Sequence, residues 1–249
     1  MELRRRGAAA LGLVWAGVLG LAQQPVAPAN PPLSALAVVQ KMVAMNAARA
    51  AALHGYSGCR IYRVVYSGLL HASAEMRVEA DYRAPGPARL TVVSESGSGL
   101  LLRRVLEPLL RVEQGESTQG RRQDIAIVPE KYIFKMLKLP GGPTQPDYVI
   151  EATPRDSKHS WFRGTLWINS AEYAVERMEG RLTHSPSWWV TRTQVQYRTR
   201  KIGEFWLPAS HHAASGVRFW GHAELDISYP HYALLSATPV EPVAAGGGR

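Results

Sequence analysis

The sequence predicts an α+β protein that is mainly β, with an antiparallel sheet of about nine strands and two helices beside it. Three observations carry this. Segments such as Glu75–Arg83 and Thr191–Arg200 alternate strictly between apolar or small residues and charged or amide ones, the period of a strand with one wet face. Only two stretches, 33–53 and 99–114, hold apolar residues at helical spacing. Six of the seven tryptophans, Trp161, Trp167, Trp188, Trp189, Trp206 and Trp220, fall in the strand-rich second half.

The elements follow in chain order. Residues 1–22 have three arginines, an apolar run from Ala8 to Leu21 and small residues before Gln23, the layout of a secretory signal peptide cut near Ala22. Residues 23–32 are a proline-rich linker. A single domain is expected over 33–236, followed by a disordered tail, 237–249. Its first helix has a stripe of Leu36, Val39, Val43, Ala47, Ala50 and Leu53, with Lys41, Asn46 and Arg49 off that stripe, and ends at Gly55. Strands are expected in "RIYRVVYSG", "AEMRVEADYRA" and "ARLTVVSES"; in the second, Met76, Val78, Ala80 and Tyr82 face one way and Arg77, Glu79, Asp81 and Arg83 the other.

The second helix, "GLLLRRVLEPLLRVEQ", places Leu102, Val105, Leu106, Leu109 and Val112 on one face, and Pro108 should kink or divide it. From Tyr148 the strands return in "YVIEATPR", "WFRGTLWIN", "EYAVERMEGRL", "WWVTRTQVQYRTR", "EFWLPASHHAAS" and "GVRFWGHAELDISY". Neighbouring strand residues face opposite sides, so Trp188 and Trp189, or Phe205 and Trp206, cannot share one packed core. Large rings on both faces imply either a partner on one face or a sizeable apolar interior.

Charge and cysteine content narrow the partners. The chain carries +9, of which the signal segment accounts for +2 through Glu2, Arg4, Arg5 and Arg6, leaving +7. That favours anionic surfaces, and export makes nucleic acid the poorer partner. With Cys59 alone, no internal disulfide forms, and a small apolar role suits it better than a reactive one.

No P-loop, dinucleotide fingerprint, HExxH, CxxC or G-x-S-x-G motif occurs, so no enzyme activity, cofactor or metal is indicated. His211 and His212 point to opposite faces of a strand and do not suit one ion. Glu172 and Glu176 are the candidate acid and base of an alternative reading, an extracytoplasmic hydrolase.

The pair "FRGTLWINSAEYAVERMEGRL", with "VQYRTRKIGEFWLPAS" and "GHAELDISYPHY", resembles the outer-membrane lipoprotein-sorting family, the LolA-like proteins of bacterial envelopes. The matching positions are Gly164, Trp167, Ile168 and Asn169, then Val175, Arg177 and Glu179, then Gly203, Trp206, Leu207 and Pro208, with asparagine at 169 where the family usually has aspartate. The resemblance is most distinct over 148–232. It implies a strongly curved antiparallel sheet forming an incomplete barrel closed by helices, with an apolar cavity for acyl chains.

It further implies a periplasmic carrier for lipids or acylated lipoproteins, monomeric, with transient contacts to envelope membrane proteins. The family also includes envelope stress regulators, so a protein-interaction module on the same fold is the alternative. On that reading Leu102, Val105, Leu106 and Leu109 form the helical side of the cavity, and Leu166, Ile168, Phe205 and Leu207 the sheet side. Leu106→Arg is expected to abolish lipid binding and leave the sheet folded.

Overall fold

The structure, a computed structural model, describes residues 32–116, 126–156, 160–185, 190–218 and 221–235. The expected signal peptide and tail, most of the linker, and Trp188, Trp189, Phe219 and Trp220 lie outside the described residues. Among those described, helix α1 (Ala35–Ala52) comes first, then strands β1 (Gly55–Ser67), β2 (His71–Arg83) and β3 (Arg89–Gly97). A helical segment follows: α2 (Gly99–Leu101), a π turn (Leu102–Leu106) and α3 (Glu107–Glu116). Strands β4 (Tyr132–Lys138), β5 (Asp147–Pro154), β6 (Phe162–Asn169), β7 (Val175–Leu182), β8 (Val190–Ile202), β9 (Phe205–Val217) and β10 (His222–Leu234) complete it.

All ten strands join one antiparallel sheet in the order β3-β2-β1-β10-β9-β8-β7-β6-β5-β4. It curves without closing, and β3 and β4 are its two edges. The register carries one row of side chains across the sheet: Met76, Tyr62, Ile227, His211, Tyr197, Met178, Leu166, Ile150 and Met136. Every helix packs on this inner face, in two separate cores. Beneath the α2–α3 segment, Tyr62, Val64, Met76, Val78, Ile227 and Tyr229 of β1, β2 and β10 meet Leu106 and Leu110. Beneath α1, Tyr132, Ile150, Phe162, Leu166 and Ile168 of β4 to β6 meet Val38, Val39 and Met42. Full burial of each such aliphatic side chain contributes about 1.5–3 kcal/mol.

The fold departs from the sequence reading at several points. The sequence predicts about nine strands. The sheet has ten, β4 being the addition. "YIFKMLK" hides its period because Ile133 and Leu137 on the outer parity are as apolar as Tyr132, Phe134 and Met136 on the inner one. Gly216 and Val217, expected to open the last strand, instead end β9, and β10 begins at His222 after Gly221, whose φ is +116°.

Helix α1 is also rotated from the expected stripe. Ser34 caps it by accepting the Ala37 N–H at 3.2 Å. Ala35, Val38, Val39 and Met42 are buried, while Leu36 is 46% exposed. In a helix this rich in alanine the apolar contrast between faces is small, and tertiary packing sets the rotation.

Pro108 acts as predicted, dividing its helix. The Glu107 N–H reaches back five residues to the Leu102 carbonyl, a π turn just before the residue that has no N–H to give. The extra residue in that turn shifts the buried face. Leu106 and Leu110 are the most enclosed, whereas Val112, expected on the inner face, is exposed.

Two prolines sit inside strands, and each lies at a register shift. Pro208 of β9 adjoins the shift at Arg198/Thr199, and Pro230 of β10 lies opposite the shift at Cys59/Ile61. Side chains take up the local carbonyls: Tyr232 Oη donates to the Pro208 oxygen at 3.0 Å, and Arg200 Nη2 donates to Tyr229 at 2.7 Å and Pro230 at 3.0 Å. Cys59 is half-buried and free, its Sγ 3.9 Å from the Arg60 carbonyl oxygen.

A charged pair fastens α3 to the sheet. Arg60 Nη1 and Tyr62 Oη both donate to Glu113 Oε2, each at 2.7 Å, and the guanidinium lies over the Tyr229 ring at 5.6 Å. Burial, with the Glu113 charge beside it, raises the Tyr62 phenol far above its ordinary value and keeps it a donor. Removing one member of such a pair leaves the other charged and unpaired. Glu113→Leu is therefore expected to cost about 3 kcal/mol in urea unfolding. The double variant Arg60→Met/Glu113→Leu should recover most of it, and a double variant as weak as the single one would contradict this account.

Candidate functional site

A cavity of about 950 Å³ opens between α1 and the inner face of β7, β8 and β9. That is at the upper end of the roughly 300–1,000 Å³ usual for small-molecule sites. Helix α1 gives it Met42, Val43, Asn46, Arg49, Ala50 and Leu53, and the stretch before β4 gives Ala126, Ile127 and Val128. The sheet gives Phe162 from β6, Val175, Met178 and Leu182 from β7, Thr193, Val195, Tyr197 and Thr199 from β8, and Phe205, Trp206, Leu207, His211 and Ala213 from β9.

Local sequence makes this space. Gly164 and Gly180 face each other across β6 and β7, and a Cβ on either would come within 2.2 Å of the partner strand's carbonyl oxygen. It would also come within 2.8 Å of the Phe162 ring, which therefore lies across both glycines and faces the cavity. On β8 the strict alternation sends Thr193, Val195, Tyr197 and Thr199 inward. Two of their hydroxyls are occupied: Thr193 with Ser215 at 3.0 Å, and Thr199 donating to the Val175 carbonyl at 2.6 Å.

One end of the cavity is bounded by the β6–β7 turn. Asn169 Oδ1 accepts the N–H groups of Ala171 and Glu172 at 3.0 and 2.9 Å, an Asx turn that fixes where Glu172 points. Glu172 then accepts from Lys201 Nζ at 2.6 Å and from the Trp206 indole at 2.7 Å. Those two hydrogen bonds hold its carboxyl below its usual range. Arg49 of α1 donates to the Glu172 carbonyl, and Lys41 donates to Tyr173 Oη at 3.3 Å. The turn is thus the joint between α1 and the start of β9.

The middle of the cavity is neutral and polar. His211 stands edge-on to Tyr197, their ring centroids 6.3 Å apart. Burial, with the charge of His212 beside it, pushes the His211 imidazole below its ordinary value, and burial pushes the Tyr197 phenol up to about 12. His212 faces the other side of the sheet, where Nδ1 lies 2.7 Å from Asp226. Among the described residues no group of three or more His, Cys, Asp or Glu is placed to hold a metal ion.

The residues expected at the site divide. Phe205 and Leu207 line the cavity. Leu166 and Ile168 are fully buried in the core beneath α1 and are not among the lining residues. Leu102, Val105, Leu106 and Leu109 pack in the other core, against β1, β2 and β10, and are not among the lining residues. Because Leu106 is fully buried there, Leu106→Arg would bury a charge in that core and test folding rather than binding.

Sequence reasoning missed the helical side. Asn46 and Arg49, set aside as off the apolar stripe, face the cavity, and the available signal was an arginine at helical spacing from Met42, Asn46 and Leu53. Trp206 joins Phe205 and Leu207 in the lining because its indole is drawn to Glu172 at the mouth of the β8–β9 hairpin. The two hydrolase candidates are occupied by structural bonds. Glu172 holds Lys201 and Trp206, and Glu176 accepts from Asn169 Nδ2 at 2.7 Å.

The chain matches no protein-family model and no curated protein sequence. Among solved structures it is similar to an outer membrane lipoprotein-sorting protein domain from Vibrio parahaemolyticus, at 12% identity and a TM-score of 0.42, over 80% of this chain and 94% of that one. It is also similar to a LolA superfamily protein from Nitrosomonas europaea, at 13% identity and 0.39, over 83% and 96%. The MucA/MucB complex of Pseudomonas aeruginosa follows at 10% identity and 0.25, over 79% and 99%.

The buried imidazole gives a pH prediction. With its folded pKa below the ordinary value of about 6.5, the unfolded chain takes up the proton first, so stability is complete above pH 6.5 and falls as the pH drops towards the folded pKa. His211→Gln removes that titrating group. Urea midpoints measured from pH 7.5 to 5 should decline less steeply in the variant, and parallel declines would mean that the folded imidazole titrates like a free one.

Proposed function

We propose that this chain is a periplasmic carrier, exported by its signal peptide as a single domain over 33–236. It holds the acyl chains of lipids or acylated lipoproteins between α1 and β7–β9, in the service of outer-membrane lipoprotein sorting. The observation that carries this reading is a cavity of about 950 Å³ whose sides are mainly aliphatic and aromatic. The family resemblance of the strands from Tyr148 to Tyr232 supports it.

The energetics suit such a ligand. Each buried methylene contributes about 0.8 kcal/mol, so ten supply about 8 kcal/mol, which corresponds to micromolar binding before ordering costs are subtracted. Affinity of that kind needs area and shape without reactive side chains. The reading is therefore non-catalytic. Among the described residues no helix is long and apolar enough to cross a membrane.

Native mass spectrometry of the protein from its own envelope, followed by organic extraction, tests the proposal. A bound amphiphile of defined mass is expected. Ala50→Trp, which adds a large ring to the α1 side of the cavity, should reduce uptake of a fluorescent acyl probe at least tenfold without lowering the urea midpoint. An empty protein that takes up no probe, yet copurifies in a stable complex with another envelope protein, would transfer the fold to the regulator or interaction module.

A further inference from the structure

We propose that the cavity selects amphiphiles with an anionic head, and that Arg49 binds that head at the end next to the β6–β7 turn. The inference rests on the lipid-binding reading and adds the chemical class of the ligand. Among the described lining residues, Arg49 is the one permanently charged side chain. The remainder are apolar apart from amide, hydroxyl, indole and imidazole groups, and the imidazole of His211 is held neutral by burial.

Arg49 is enclosed but incompletely used. Its side chain is 15% exposed. Of the five N–H donors of a guanidinium, Nη1 gives one to Asn46 Oδ1 at 3.3 Å and Nη2 gives one to the Glu172 carbonyl. The nearest carboxylate, that of Glu172, stands 3.9 Å away, beyond hydrogen-bond distance, and is engaged by Lys201 and Trp206. An enclosed cation bonded to an amide oxygen and a carbonyl, its ion-pair partner Glu172 held 3.9 Å away by other donors, has N–H groups to offer a ligand anion.

The geometry sets the pose. Arg49 and Trp206 lie beside the β6–β7 turn, at one end of the strands, whereas Leu182, Thr193 and Ala213 lie towards the other. A head group on Arg49 leaves the chain to run along β7–β9, past Met178 and Val195. Lys201, Glu172 and Glu204 surround this end outside the lining, and with Arg49 the two cations and two carboxylates balance, so a head group is recognised by the remaining guanidinium donors and not by net charge.

The test compares two probes that share a chain and fluorophore, one a fatty acid and the other its methyl ester. The wild type should bind the acid about tenfold or more tightly than the ester. Arg49→Gln should weaken the acid about tenfold more than the ester and so remove that preference, and Arg49→Lys should keep part of it. Displacement of the acid probe by laurate alone assigns a carboxylate head, by dodecyl phosphate alone a phosphate, and by both an unselective anion site. Equal affinity of the wild type for acid and ester would overturn the inference and leave the carrier reading intact. Loss of both probes in Arg49→Gln would reduce Arg49 to a structural tether. A wild type that binds neither probe would overturn inference and carrier reading together.

Discussion

A ten-stranded sheet with one apolar face has more surface than the helices of this chain can cover. Strands about 4.8 Å apart make a sheet of ten about 43 Å across before curvature, and a helix with its side chains is about 10–12 Å wide. The helical segment at 99–116 covers β1–β3 and β10, and α1 covers β4–β6 and part of β7. Between them in sheet order lie β8 and β9, whose inward residues neither core includes except Val195 at its margin. The cavity stands over those strands, so it follows from the strand count more than from any single residue.

What keeps the two helical segments apart is polar. Arg60, Tyr62 and Glu113 tie α3 to β1, and the turn at Glu172 ties α1 to the beginning of β9 and the end of β8. Each tie is directional, whereas the apolar cores alone would allow a helix to slide towards the uncovered strands. Strand bulges help in the same way. Pro208 and Pro230 break the ladder near the middle of the sheet, and bulged strands bend there, which favours a curved trough over a flat layer.

How much of this was legible in the sequence depended on contrast. Strand β2, with Met76, Val78 and Ala80 against Arg77, Glu79 and Asp81, shows its period openly, as does β8, and Pro108 announced the break in its helix. Strand β4 did not, because it is apolar on both parities. The rotation of α1 was hidden by alanines, and with it the helical side of the cavity. Apolar residues on a helix say that the helix is buried but not against which strands. Leu106 and Met42 look alike in sequence, and topology alone assigns one to a packed core and the other to the edge of open space.

A site of this kind has to release what it takes up, and its composition bears on that. A wholly aliphatic cavity of this size would bind any chain long enough to fill it, with affinity rising by about 0.8 kcal/mol per methylene. Threonines, a tyrosine and a neutral histidine along β8 and β9 interrupt the apolar area, and the free groups among them can hold water when no chain is present. That lowers the free energy gained on filling, because hydrated polar groups must be uncovered when the chain enters. Chain burial then supplies affinity without deciding identity, and selection falls to a directional contact at one end, where the guanidinium of Arg49 is the charged group in the lining.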